Sequence, residues 1–154
     1  MIPTTAQIES LHRRYAQSDA VFKLIYTHCQ IVSEIALWCA DQKGLKVDRS
    51  LLEAGCLLHD IGTYALFDPD GRDKNEHNYK QHAIFSAALV LEEGFDSRIA
   101  DMIRTHILLG LTKEEIIANG FGMPQKDYVP VSIEARLLCY ADRFHSKLPT
   151  FNEY

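Results

Sequence analysis

The segment from Ser18 to Gly44, SDAVFKLIYTHCQIVSEIALWCADQKG, places Val21, Leu24, Ile25, Ile31, Ile35 and Trp38 within one arc of a 3.6-residue turn. Ser18 or Asp19 can cap its start and Gly44 can close it. A helix with one apolar stripe must bury that stripe against a neighbour, and the rest of the chain supplies neighbours of the same kind. VDRSLLEAGCLLHDIG offers Asp48 as a cap, an apolar helix, and Gly62 as its stop. NYKQHAIFSAALVLEEGF reads as a helix from about Tyr79 to Glu93, and DSRIADMIRTHILLG as one from an Asp96 cap to Gly110. TKEE is a capping box, Thr112 with Glu115 three positions on, opening a short helix that Gly120 ends. SIEARLLCYADRFHSK runs from a Ser132 cap towards Pro149. No alternating apolar run is long enough for a sheet, so the expected fold is all-α: a compact bundle of about six or seven helices in a single domain over 1–154, with loops at 63–78 and 121–131.

A chain of 154 residues at 47% hydrophobic content suffices for one core. The net charge of −5 argues against a nucleic acid or an anionic membrane as the main partner, while leaving room for a local basic pocket that holds a phosphate. No apolar run approaches the roughly 18–20 residues of a membrane span, and no basic-then-apolar leader opens the chain. Cys29, Cys39, Cys56 and Cys139 form no CxxC pair and sit in apolar segments. They read as reduced, mostly buried thiols, and the expected location is the cytoplasm. DPDGRD resembles the start of a calcium loop, but the sixth and twelfth places hold Asp73 and Tyr79 instead of glycine and glutamate, so an acidic solvated turn is expected.

Six polar residues break the apolar pattern. His28 lies in YTHCQIV, His59 and Asp60 in LLHDIG, His82 in KQHAIF, His106 in IRTHILL and Asp142 in CYADRF. His12, His77 and His145 have polar neighbours and read as surface or loop residues, whereas Tyr26, Trp38, Phe85 and Tyr140 fall at core spacing. A single histidine on an apolar face is ordinarily a hydrogen-bonded core residue. Six such positions on five helices favour another arrangement, because buried imidazoles and carboxylates left unpaired are costly and a shared cation removes that cost. The mixed N/O set suits iron, manganese, zinc or another borderline cation better than magnesium or calcium. Six ligands exceed what one tetrahedral ion uses. A dinuclear site, with Asp60 able to offer one oxygen to each ion, is therefore expected.

The ordered set His28, His59-Asp60 and Asp142 on an all-helical chain resembles the HD domain superfamily of metal-dependent phosphohydrolases, and LLHDIG looks like its most recognisable segment. The likeness extends over residues 20 to 147. His82 and His106 resemble the extra histidines of the binuclear branches, which include cyclic-dinucleotide phosphodiesterases of the HD-GYP group and mixed-valence di-iron oxygenases such as myo-inositol oxygenase. Small bacterial HDIG-domain proteins look closest. Thr63-Tyr64 after the HDIG segment, His106-Ile107 in place of a histidine pair, and the lack of a Gly-Tyr-Pro signature depart from the HD-GYP pattern.

The resemblance implies hydrolysis of a nucleotide or other small phosphorylated metabolite by metal-activated water. Two divalent transition metals (Fe, Mn, Zn, Ni or Co) would sit on His28, His59, Asp60 and Asp142, and on Asp60, His82 and His106. Arg143, His145 and Lys147, and a second group of Lys80, His77 and Arg72, are candidate phosphate contacts, with His77 or His145 as leaving-group acid and Tyr64 in the pocket wall. The same ligands leave two other readings open: a di-iron oxygenase acting on a small hydroxylated substrate, and a non-catalytic nucleotide or metal sensor. Phe151 and Tyr154 suggest a tail packed on the bundle or on a second subunit of a homo-oligomer.

Overall fold

Seven α-helices and four 3-10 helices account for most of the described backbone. The computed structural model describes residues 1–66 and 76–147, with backbone alone at 76–78. The α-helices are α1 (Thr5–Tyr15), α2 (Asp19–Gln42), α3 (Arg49–Leu58), α4 (His82–Glu92), α5 (Ser97–Ile103), α6 (Lys113–Asn119) and α7 (Ile133–Ala141). The whole DPDGRD turn, with Arg72, and the aromatic tail lie outside the described residues, as does the side chain of His77.

The helix starts follow their capping chemistry. Ser18, Asp48, Asp96, Thr112 and Ser132 each accept a backbone N–H with the side chain, and Thr112 closes its box with Glu115. Gly120 ends α6 in the left-handed region at φ 61°. One helix was not expected: α1 opens on a second capping box, Thr4 with Gln7, and buries only Ile8, Leu11 and His12. The helix ends differ from expectation. α3 stops at Leu58 and α5 at Ile103, so His59 and His106 lie beyond their helices; α7 gives way at Asp142 to a 3-10 turn.

The long α2 is the central element, packed against α1, α3 and α7. Ile25, Cys29, Val32 and Ala36 on α2 meet Leu52, Cys56 and Leu58 on α3 and Leu138 on α7 in one core. A smaller apolar cluster of Ala83, Ile107, Leu111, Ile116, Met123 and Tyr128 holds α6 and the following loop. There Leu111 and Tyr128 pair as an isolated antiparallel bridge. Gly62 sets the approach of the 3-10 helix Ile61–Leu66 to α4. A Cβ on it would come within 2.4 Å of Ser86 N and 2.7 Å of His82 O, and its own N–H donates to Ser86 Oγ at 2.8 Å.

Two aromatic expectations are corrected. Trp38 and Tyr140 are 62% and 51% exposed, because they lie off the buried faces of α2 and α7, whereas Tyr26 is buried as expected. Cys29, Cys56 and Cys139 are buried and Cys39 half-buried, all as free thiols. Among the described residues no helix is long and apolar enough to cross a membrane.

Candidate metal centre

The six polar residues that interrupt the apolar pattern converge. His28 comes from the middle of α2; His59 is the C-cap of α3, with Asp60 next; His82 opens α4; His106 follows α5; Asp142 is the C-cap of α7. Four of the six thus sit where a helix has just ended, and such ends leave carbonyls without helical partners. His59 Nδ1 donates to Cys56 O at 2.7 Å and His106 Nδ1 to Ile103 O at 2.6 Å, while His82 Nδ1 donates to Tyr79 O. Each ring reaches back three residues. This also explains why α3 and α5 end early: the side chain takes a carbonyl that a further helical turn would have used.

Because a carbonyl only accepts, those three rings carry a proton on Nδ1, and in the neutral ring Nε2 is a bare lone pair. Asp60 divides its oxygens between two sets of these nitrogens. Oδ2 lies 3.3 Å from His28 Nε2 and 3.4 Å from His59 Nε2; Oδ1 lies 3.0 Å from His82 Nε2 and 3.9 Å from His106 Nε2. Asp142 Oδ1 completes the first set at 3.0 Å from His28 Nε2 and 3.4 Å from His59 Nε2. The two Nε2 atoms are 3.2 Å apart in the first set and 3.0 Å apart in the second.

Donors bonded at about 2.1 Å to a common ion stand about 3.0 Å apart in an octahedron and about 3.4 Å apart in a tetrahedron. Lone pairs facing lone pairs and carboxylate oxygens at those separations repel unless a positive charge lies among them. The donor set suits a divalent metal: His28, His59 and Asp60, with Asp142 Oδ1 beside them, could hold an ion, as could Asp60, His82 and His106, and His106 also groups with His59 and Asp142.

Electrostatics show the same demand for positive charge. Burial opposes ionisation of Asp60, but the Lys147 ammonium, His59 and His82 overcome it and hold the carboxyl well below its usual range. Burial likewise opposes charge on His59, yet Asp60 keeps its pKa well above the ordinary value. A cation arriving there would displace that proton. His106, buried beside His59 and His82, is pushed down to about 3 and stays neutral. The Thr63 hydroxyl donates to Asp60 Oδ1 at 3.3 Å.

A pocket of about 430 Å³ opens over the first set, walled by His28, Asp142, Tyr79 and the segment from Arg143 to Lys147. Lys147 Nζ contacts Asp60 Oδ2 and is held charged by it despite burial. Arg143 is exposed at the pocket. The other candidates sit elsewhere. Lys80 Nζ lies 4.0 Å over the Phe121 ring. Tyr64 is not part of this wall: it is 1% exposed, with its hydroxyl 2.9 Å from His12 Nδ1 in the core. His145, expected at the surface, is buried with Nδ1 2.7 Å from His28 Nδ1, so it backs a candidate ligand. His12 is likewise buried. Tyr79, which supplies the carbonyl behind His82 and lines the pocket, carries no sequence signal beyond its place three residues before a histidine.

The family model for the HD domain matches residues 25–147. The chain belongs to the HD domain family. Its α1 precedes the matched HD residues. An uncharacterized protein of Methanocaldococcus jannaschii is 36% identical over 121 residues, 77% of this HD chain and 64% of its own length. Two tRNA (cytidine(56)-2'-O)-methyltransferases, from Picrophilus torridus and Thermoplasma volcanium, are 35% and 30% identical over 84% and 92% of this chain. The chain spans only 34% and 36% of those two proteins. Among solved structures, the HD domain of the L. monocytogenes phosphodiesterase PgpH matches with a TM-score of 0.58, and the same domain in complex with cyclic-di-AMP with 0.60. Both are 19% identical and cover 88% of this chain and 70% or 69% of theirs. At that identity the likeness is one of fold.

Proposed function

We propose that the chain is a metal-dependent phosphohydrolase acting on a small phosphoester through two divalent transition-metal ions, to each of which Asp60 would offer one oxygen. The observation that carries this is the division of the Asp60 oxygens between two sets of imidazole lone pairs. Ions held there supply a nucleophilic water at neutral pH and neutralise phosphoryl oxygens. The protein's own residues hold and orient. Asp142, with 24% of its side chain exposed, is the most accessible member of the set and faces the pocket. Lys147 and Arg143 bring two positive charges to the same opening, and the guanidinium suits a bidentate grip on phosphate. His145 orients His28 from behind rather than protonating a leaving group. Family membership and a fold shared with a phosphodiesterase domain support the reaction class.

Elemental analysis of protein purified without added metal, followed by a phosphoester panel under argon with each metal restored, tests this reading. The panel includes nucleotides, a cyclic dinucleotide and a short RNA with a terminal phosphate, the last because two relatives carry an RNA-modifying name. About two ions per chain and metal-dependent phosphate release are expected. Fewer than one ion per chain at neutral pH defeats the dinuclear centre. Iron content with oxygen consumption and no phosphate release replaces hydrolysis with oxygenase chemistry.

A further inference from the structure

One buried histidine outside the ligand set sits where two ligand-bearing segments meet. His12 on α1 has 0% exposure. Its Nε2 lies 2.8 Å from Leu57 O and its Nδ1 2.9 Å from Tyr64 Oη. Since the carbonyl only accepts, Nε2 carries the proton and Nδ1 accepts from the tyrosine hydroxyl. The ring also packs 4.9 Å from that of Tyr26, two residues before His28. Leu57 comes two residues before His59, and Tyr64 four after Asp60. One imidazole therefore ties both ends of the turn that presents the shared carboxylate.

The Leu57 carbonyl belongs to the last turn of α3, where helical acceptors lack partners, so the bond both satisfies that group and restrains the turn. Gln17, just past α1, adds a second restraint from the same side by donating its amide to Tyr64 O. Burial lowers the His12 pKa to about 4, so the ring is neutral near pH 7, the form in which both bonds stand. α1 precedes the residues matched by the family model, so His12 lies outside the matched segment while Leu57 and Tyr64 lie within it.

We propose that His12 is a positioning residue for the metal centre: with Tyr64 it holds the His59–Asp60 turn so that Asp60 faces both donor sets. This rests on the two-cation reading. His12 acts through the backbone and Tyr64, and its removal changes how well the ligands are aimed without removing a ligand.

Chelator competition with Mn(II), at a temperature well below unfolding and with helicity checked by circular dichroism, tests the clamp on the parent and on Tyr64→Phe, His12→Gln and His12→Phe. Tyr64→Phe keeps the ring and loses only the hydroxyl, so it is the variant least exposed to misfolding. The expected result is affinity weakened on the order of 10-fold in Tyr64→Phe and His12→Gln, and more in His12→Phe, which loses both bonds. Magnetic coupling between two bound Mn(II) ions, read by electron paramagnetic resonance, weakens in parallel. Folded variants that bind Mn(II) as the parent does, with only a lower Tm, reduce His12 to a core residue and overturn the proposal while leaving the two-cation reading intact. A parent that binds no ion overturns both.

Discussion

The two halves of the metal centre are built differently. The first set stands on α2, α3 and α7, which share the large core, and its donors lie 3.0–3.4 Å from one another. The second stands on the start of α4 and the segment after the seven-residue α5, two helices that also pack into the large core, with Ala83 and Ile107 in the smaller cluster. It has three donors, spread from 3.0 to 3.9 Å. After His106 the backbone turns through Leu108 and Leu109 at φ 53° and 70°, left-handed values that cost a branched side chain roughly 1–2 kcal/mol each. The first set has four closely spaced donors and the second three, one of them farther away and followed by strained backbone. The first ion is thus expected to bind more tightly than the second, with Asp60 as the only residue common to both.

Asp60→Asn gives the largest effect. The amide cannot present two anionic oxygens, and Lys147 and His59 lose the carboxylate that keeps them charged. Loss of both ions in elemental analysis and of all hydrolysis is expected. Retention of one tightly bound ion would show that the halves do not depend on a shared carboxylate. Single-ligand removals come next and should be unequal: His28→Ala empties the tighter half, whereas His106→Ala leaves one ion at nearly parent affinity. Titration calorimetry with Mn(II) distinguishes them, and equal losses would erase the distinction between the halves.

Much of the centre was legible in the sequence because its chemistry violates local expectation. A charged or imidazole side chain inside an apolar run needs a partner, and all six such positions converged. Caps at Ser18, Asp48, Asp96, Thr112 and Ser132 were legible because capping is settled within three residues. What escaped were events that depend on distant partners. His12 and His145 look like surface residues among polar neighbours, and are buried only because Leu57, Tyr64 and His28 meet them across 45, 52 and 117 positions. The early ends of α3 and α5 escaped for a local reason: a histidine competing for its own helix's carbonyl looks, in sequence, like one more helical residue. Trp38 shares an arc with Leu24, Ile31 and Ile35, which are only half-buried, whereas the buried face of α2 runs through Val21, Ile25, Cys29, Val32 and Ala36.

His12, bonded to both ends of the turn that carries Asp60, adds a pH dependence to folding, as the neutral His106 of the second set also does. The folded pKa of His12 is about 4 against 6.5 when unfolded, lowered chiefly by burial. Between those values the unfolded chain binds more protons, so stability falls as pH falls through 6.5 and levels off below about 4. The shift corresponds to roughly 3 kcal/mol. In chelator, the stability difference between the parent and His12→Phe should shrink by about that much from pH 7 to pH 4 in denaturant titrations. A difference that does not change with pH would mean that His12 is not held neutral by the fold.

Gly62→Ala has the narrowest expected effect on the centre, reaching one half of it. The new Cβ would lie 2.4 Å from Ser86 N and 2.7 Å from His82 O, and both are backbone atoms that no rotamer change can move. Relief requires α4 to withdraw from the turn that carries Asp60, at a cost of about 1–3 kcal/mol. His82 opens α4 and moves with it, and the three atoms nearest to the new Cβ all belong to α4. The second ion should therefore be lost at free metal concentrations that still saturate the first, and stoichiometry should fall from two to one while the fold persists. Both ions leaving together would mean that the two donor sets form one rigid unit, and that the looser geometry of the second half does not weaken its hold on metal.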